Sequence, residues 1–173
     1  SNRRGIGQPR RVGARGGDRL SVKRRWSMRL LFVCLGNICR SPAAHGVAET
    51  LAAAQRRDWH IASAGTGAWH AGEPPDQRMI TAAAARGLDL SPLRARQAVP
   101  DDFHAFDHIF AMDHRNLAEL QGLRPADGQA ELHLFLKSDD VPDPYYGGDQ
   151  GFDHVLDLIQ SRMESIFAAL AKG

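Results

Sequence analysis

Arg29-Leu30-Leu31-Phe32-Val33-Cys34-Leu35-Gly36-Asn37-Ile38-Cys39-Arg40-Ser41-Pro42 is the stretch from which the fold can be read. Arg29–Val33 is a short, essentially apolar run, suited to a β-strand covered on both faces. A turn follows at once, and then a helix start, with Ser41 able to cap, Pro42 pre-set for the first helical position, and strong helix formers over Ala43–Ala54. A loop wrapped between the carboxyl end of a strand and the amino end of a helix points backbone N–H groups inward, an anion cradle reinforced by the helix dipole. Gly36 is expected to supply a backbone conformation that other residues resist, and Asn37 is among the few side chains that tolerate a left-handed one.

Within that cradle, Cys34 and Arg40 are separated by five residues. The donors that attract an oxyanion also favour a thiolate, which makes Cys34 a nucleophile at neutral pH. Arg40 carries a planar fork of donors that matches two phosphoryl oxygens, a geometry lysine cannot reproduce. Attack by sulfur on a phosphate ester also needs an acid for the departing oxygen. Asp143 is the candidate, in Val141-Pro142-Asp143-Pro144-Tyr145-Tyr146-Gly147-Gly148, where two prolines stiffen a loop at the carboxyl end of an expected strand. Ligands bind at that edge of an open α/β sheet.

Working outward, short apolar strands alternate with helical segments, the pattern of an α/β protein with a parallel sheet. Further strands are expected at Trp59–Ser63, Ile109–Ala111 and Glu131–Phe135, and helices from about Asp76 to Arg86 and from an Asp113 cap to about Gln121, closed by Gly122. Ala64–Pro75 and Ser138–Gly151 read as loops. Phe152, Val155, Leu156, Ile159, Met163, Ile166, Phe167 and Leu170 recur at three- and four-residue spacing, so the last segment is a helix with one face on the sheet. No internal repeat is visible.

The chain has 173 residues and 43% hydrophobic content, enough for one substantial core. Residues 1–27 hold nine Lys or Arg against one Asp, a charge of +8, while the remaining 13 basic and 19 acidic residues leave the body at −6. That segment is glycine-rich and poor in large apolar side chains, so it is expected to be a disordered basic extension or a remnant of cloning, with residues 28–173 forming a single domain. No apolar run reaches membrane-spanning length, and no membrane or nucleic-acid partner is expected. Cys34 and Cys39 are too close together to staple distant parts of a secreted fold, which points to reduced thiols and a cytoplasmic location. Cys39 is either a small buried side chain or a partner for oxidised Cys34. The eight histidines are scattered, His104 and His108 straddle a helix end and a strand start, and neither thiol has further ligands nearby, so neither a metal nor a cofactor is called for.

The combination of strand, CLGNICRSP (Cys34–Pro42), helix and a distant DPYYG (Asp143–Gly147) resembles the low-molecular-weight protein-tyrosine phosphatase family. The resemblance extends through SAGT (Ser63–Thr66), Trp69, PPD (Pro74–Asp76), LSPLRARQ (Leu90–Gln97) and MDHRN (Met112–Asn116), covering roughly residues 28 to 171. It implies a four-stranded parallel sheet with helices on both faces, a Rossmann-like three-layer architecture, and hydrolysis of phosphotyrosine in proteins through a phosphocysteine. Cys34, Arg40 and Asp143 inherit the catalytic roles. Leu35, Gly36, Ile38 and Cys39 belong to the phosphate loop, which would take inorganic phosphate or other oxyanions, and Asn37, Ser41 and Ser63 fall where the family holds that loop by side-chain hydrogen bonds. Trp69, Tyr145 and Tyr146 fall at the substrate entrance. Leu93 departs from the pattern, standing where many members have a histidine that supports the loop asparagine. Three alternatives stand beside this reading. A protein arginine phosphatase of the same fold would resemble a pattern with threonine at Ile38. An arsenate reductase would need cysteines outside the loop, of which there are none. A phosphate- or nucleic-acid-binding module would use the cradle or the basic tail without turnover.

Overall fold

The computed structural model describes residues 26–172, so the basic extension expected over residues 1–27 lies outside the described residues apart from Trp26 and Ser27. Four strands, β1 (Met28–Cys34), β2 (Trp59–Gly65), β3 (His108–Ala111) and β4 (Glu131–Leu134), form one parallel sheet in the order β2-β1-β3-β4. Among the described residues five helices accompany them: α1 (Arg40–Ala54), α2 (Gln77–Ala84), the four-residue α3 (Asp102–Ala105), α4 (His114–Leu123) and α5 (Gln150–Ala171).

Strand β1 explains the layers. Successive side chains of a strand point to opposite faces, and in β1 both sets are apolar and buried. Leu30, Phe32 and Cys34 enter one core with Val47 of α1, Met79 of α2 and the stripe of α5, while Leu31 and Val33 enter a second core with Phe103, Phe106 and Leu120. The continuous apolar run thus places β1 in the middle of three layers. The α5 stripe runs as its spacing predicts, with Phe152, Val155, Leu156, Ile159, Met163, Ile166 and Phe167 buried. Each large side chain of this kind contributes about 1.5–3 kcal/mol relative to exposure.

Several boundaries differ from expectation, each for a local reason. Strand β2 runs two residues further, to Gly65, because Gly65 accepts and donates hydrogen bonds with Ala98 and Arg96 beyond the expected strand end. Helix α1 begins at Arg40, and Ser41 is not its cap: no side chain caps it, and the Ser41 hydroxyl is engaged with the loop instead. Helix α4 passes through Gly122 to Leu123, whereas Gly87, with φ of +80°, does end α2, where the Leu88 N–H reaches the Ala83 carbonyl at 3.0 Å. Asp76 and Asp113 cap α2 and α4 through N–H bonds of 2.8 and 2.7 Å. Helix α3 was not foreseen, being too short to show a period.

The chain leaves β1 through α1 to β2 on one side and then crosses back to β3 on the other. The switch therefore falls between β1 and β3, whose carboxyl ends open the crevice where α/β folds bind ligands.

Candidate active site

Residues 35–39 join β1 to α1 at that crevice, and their orientation follows from three outward carbonyls. The Cys34, Leu35 and Ile38 oxygens accept from the N–H groups of Thr66, Gly67 and Asp76 at 2.9, 2.9 and 2.8 Å. In a trans peptide the C=O and the next N–H point in opposite directions. The N–H groups of Leu35, Gly36 and Cys39 therefore turn inward, toward the Cys34 side chain. Asn37 takes the left-handed conformation at φ of +56°. Gly36 does not have a positive φ, so its expected conformational role is corrected: a Cβ there would stand 3.1 Å from His70 Cδ2, and the glycine serves close approach. Gly65 does the same from the other side, since a Cβ would meet the Leu35 carbonyl oxygen at 2.8 Å.

The loop is braced from behind by polar side chains that do not face the crevice. Asn37 Nδ2 donates to Ser41 Oγ at 2.8 Å, and Ser41 Oγ stands 3.0 Å from Cys34 Sγ and 3.2 Å from the Ala64 carbonyl. The hydroxyl has one proton, so it donates either to sulfur or to that carbonyl. Asn37 Oδ1 accepts the backbone N–H of Arg96 at 3.0 Å. The asparagine is thus supported without a histidine at Leu93, through a main-chain donor whose segment is anchored by Arg96 on Asp102 at 3.0 and 3.1 Å. Ser63 sits one layer further out and bonds to His45 Nδ1 at 3.0 Å, whose Nε2 meets Glu49 at 2.8 Å.

Arg40 is 2% exposed, and one arm of its guanidinium is anchored: Nη1 donates to Asp113 Oδ2 at 2.7 Å and to the Val141 carbonyl at 3.0 Å, while Nη2 lies 3.6 Å from Asp143, beyond hydrogen-bond distance. Burial disfavours the charge, but Cys34, Asp113 and Asp143 outweigh it, and the pKa stands above its ordinary value. Asp113 therefore does two jobs, capping α4 with one oxygen and holding Arg40 with the other. Cys39 is buried, and desolvation, with Asp76, Cys34 and Asp143 adding to it, raises its thiol pKa far above the ordinary value. Cys39 stays a thiol at neutral pH. Both cysteines are unpaired.

Above Cys34 and Arg40 opens a crevice of about 270 Å³, with Leu35, Gly36, Ile38 and Cys39 also along its floor. Trp69, Tyr145 and Tyr146 form its walls, and Asp143 stands at the rim. The walls are exposed: 70% for Trp69 and 87% for Tyr146, with Tyr145 and Tyr146 edge to face at 5.0 Å. Arg78 fixes the Tyr loop by donating to the Tyr145 carbonyl at 3.0 Å and lying 5.6 Å from its ring. His70 also lines the crevice, a residue sequence reasoning missed along with Asp113, Arg96 and His45. Loop residues between Cys34 and Arg40 thus share the crevice with Trp69 and His70 and with Asp143, Tyr145 and Tyr146, distant segments that the sheet topology brings together.

A family model described as low molecular weight phosphotyrosine protein phosphatase matches residues 29–173. The chain belongs to this family. A relative in Schizosaccharomyces pombe, a low molecular weight phosphotyrosine protein phosphatase, is 40% identical over 81% of this chain and 97% of its own length. The crystal structure of a protein tyrosine phosphatase from Entamoeba histolytica, with Hepes in its active site, superposes with a TM-score of 0.80 at 39% identity, covering 85% of this chain and 99% of that one. A Drosophila arginine phosphatase superposes with a TM-score of 0.78 at 30% identity, over 83% and 98% of the two chains. The architecture expected from the sequence, a four-stranded parallel sheet between helices, is thereby the family's own. Among the described residues no helix is long and apolar enough to cross a membrane.

Proposed function

We propose that this phosphatase hydrolyses phosphotyrosine in proteins through a phosphocysteine on Cys34. The observation that carries the reading is the crevice itself: a thiol at the floor of an N–H cradle, Arg40 beside it, Asp143 at the rim and three aromatic walls. A phosphate dianion would sit against the inward N–H groups and the Arg40 fork, with its aryl group between Trp69, Tyr145 and Tyr146. Cys34 Sγ forms a bond to phosphorus as the bond to the phenolic oxygen breaks, and protonated Asp143 gives its proton to that oxygen. Water then attacks phosphorus, Asp143 takes the proton back, and the S–P bond breaks to release phosphate and restore the thiolate. Arg40 follows the charge as it spreads over the equatorial oxygens. Asn37 and Ser41 keep the loop in shape, and Ser63 acts one step removed, through His45 of the helix that follows the loop. The unpaired thiols support a reducing, cytoplasmic setting.

The arginine phosphatase neighbour favours a second reading, phosphoarginine as substrate. Against it stands Ile38, a bulky apolar residue in the crevice floor, together with aromatic walls suited to a phenyl ring. The test is turnover of phosphotyrosyl and phosphoarginyl peptides of one sequence in the presence of a chelator. Preference for the phosphotyrosyl peptide, abolished by Cys34→Ser, is the expected result; preference for phosphoarginine, or turnover by Cys34→Ser, refutes the reading.

A further inference from the structure

At the opposite end of the sheet from Cys34, three side chains with metal-ligating atoms converge. His108 opens β3 and Glu131 opens β4, and the parallel register pairs them directly, with Phe110 opposite His133. Period-two alternation then puts His108, Glu131 and His133 on one face. His108 Nδ1 lies 2.9 Å from His133 Nε2 and 3.4 Å from Glu131 Oε2, and His133 Nε2 lies 3.7 Å from the same oxygen. The imidazoles stack with centroids 5.1 Å apart, and Phe110 packs under His133 at 4.9 Å. Leu30 pairs with His108, so the cluster is four residues, about 13 Å of strand, from the Cys34 end of β1.

We propose that His108, His133 and Glu131 form a binding site for a divalent ion of the zinc class, separate from the catalytic crevice. Around a tetrahedral zinc with bonds of about 2.0–2.1 Å, ligand atoms stand about 3.3–3.4 Å apart. The three observed separations bracket that spacing, and the closest pair needs to open by only a few tenths of an ångström. Two imidazole nitrogens and one carboxylate oxygen are a ligand set zinc uses with the fourth position left to water. Burial and the neighbouring His108 hold the His133 imidazole below its ordinary pKa, which keeps it in the neutral form that ligates. Arg162 of α5, bonded to the Phe135 carbonyl at 2.8 Å, adds positive charge near His133. That charge opposes any cation, so selectivity comes from the donors: two imidazoles and a single carboxylate suit ions that bond well to nitrogen, and offer too few oxygen ligands for magnesium or calcium. Occupancy would tie the edge strand β4 to β3, so the expected consequence is stability of the sheet edge and not a step of turnover.

The test removes the thiols, which also bind soft metals, and asks whether a site remains. In the full chain carrying Cys34→Ser and Cys39→Ser, stripped with chelator, cobalt(II) is titrated by visible absorption and zinc by calorimetry. One saturable site with the intense absorption of four-coordinate cobalt, and a zinc-dependent rise in the unfolding midpoint, are expected. His133→Gln and Glu131→Gln in this background should each weaken binding by about tenfold or more. Glu131 is 68% exposed, so its variant tests the site even if His133→Gln fails to fold. Absence of a saturable site, or undiminished affinity in a folded variant of either residue, overturns the proposal.

Discussion

Gly67→Ala tests whether the entrance walls select aromatic substrates, because the methyl group would land where the Trp69 ring now lies. A Cβ on Gly67 would stand 1.8 Å from Trp69 Cζ3, 2.2 Å from Cε3 and 2.6 Å from Cη2. Carbon atoms rest at about 3.5–4.0 Å, so the ring must swing away by about 1.7 Å or more. Folding should tolerate this. Trp69 is 70% exposed, and a side chain of about 250 Å² then has about 75 Å² to uncover, at most about 2 kcal/mol. Reduced freedom of the unfolded chain returns about 0.4–1 kcal/mol of that. The larger effect is on recognition: losing one aromatic wall against a phenyl ring costs about 0.5–1.5 kcal/mol, about 2- to 12-fold in kcat/KM. The assay compares kcat/KM for an aryl phosphate with the inhibition constant of inorganic phosphate, which meets only the cradle. Aryl turnover should fall while phosphate inhibition holds, and Gly67→Ala/Trp69→Ala should be no worse than Trp69→Ala alone. Unchanged aryl kcat/KM, or a parallel loss of phosphate affinity, would refute the reasoning.

If Asp143 protonates the departing phenolate, Asp143→Ala should slow phosphotyrosine hydrolysis by about 10²- to 10⁴-fold and spare esters of acidic phenols, which a leaving-group series measures; equal losses across the series would mean that Asp143 only shapes its loop. Because burial and neighbouring carboxylates hold Cys39 as a thiol, brief iodoacetate treatment near neutral pH should label Cys34 alone, as peptide mass mapping would show, and label on Cys39 would contradict that environment. Asp76 caps α2, and the Arg78 side-chain bond, ahead of the opposing effect of burial, holds its carboxyl below its ordinary value near 3.8. With a depressed folded pKa, its contribution is complete above that value and fades as pH falls through the lowered one. Asp76→Ala should therefore cost about 1 kcal/mol in denaturant unfolding near neutral pH and progressively less toward strong acid; a deficit that does not shrink in acid would exclude the carboxylate as its source.

The β1 run was legible because it obeys a local rule: an apolar stretch buried on both faces must be central, and the cradle then falls at its carboxyl end. That Asp143 reaches the same crevice was legible from its loop's placement at the same sheet edge. What escaped was whatever depends on registry between distant segments. Asp113 reads as a helix cap and is one, but its second oxygen meets Arg40 across 73 positions of sequence. The support for Asn37 comes from the Arg96 main-chain N–H, which no residue type announces. Ser41 before Pro42 has the residue types of a helix cap, yet in this loop its hydroxyl lies between Asn37 and Cys34 and caps nothing. Of the two turn residues, Asn37 takes the left-handed conformation expected of it, whereas Gly36 has no positive φ and instead makes room for His70.

The central claim is that the phosphoryl group passes through Cys34 sulfur. Rapid acid quench of the enzyme during turnover of a labelled aryl phosphate, followed by peptide mapping, measures it directly. The account predicts up to one label per chain, on the peptide containing Cys34, with the stability of a thiophosphate and lost in Cys34→Ser. Steady turnover with no label on Cys34, or label on Cys39, Asp143 or a histidine, would contradict it.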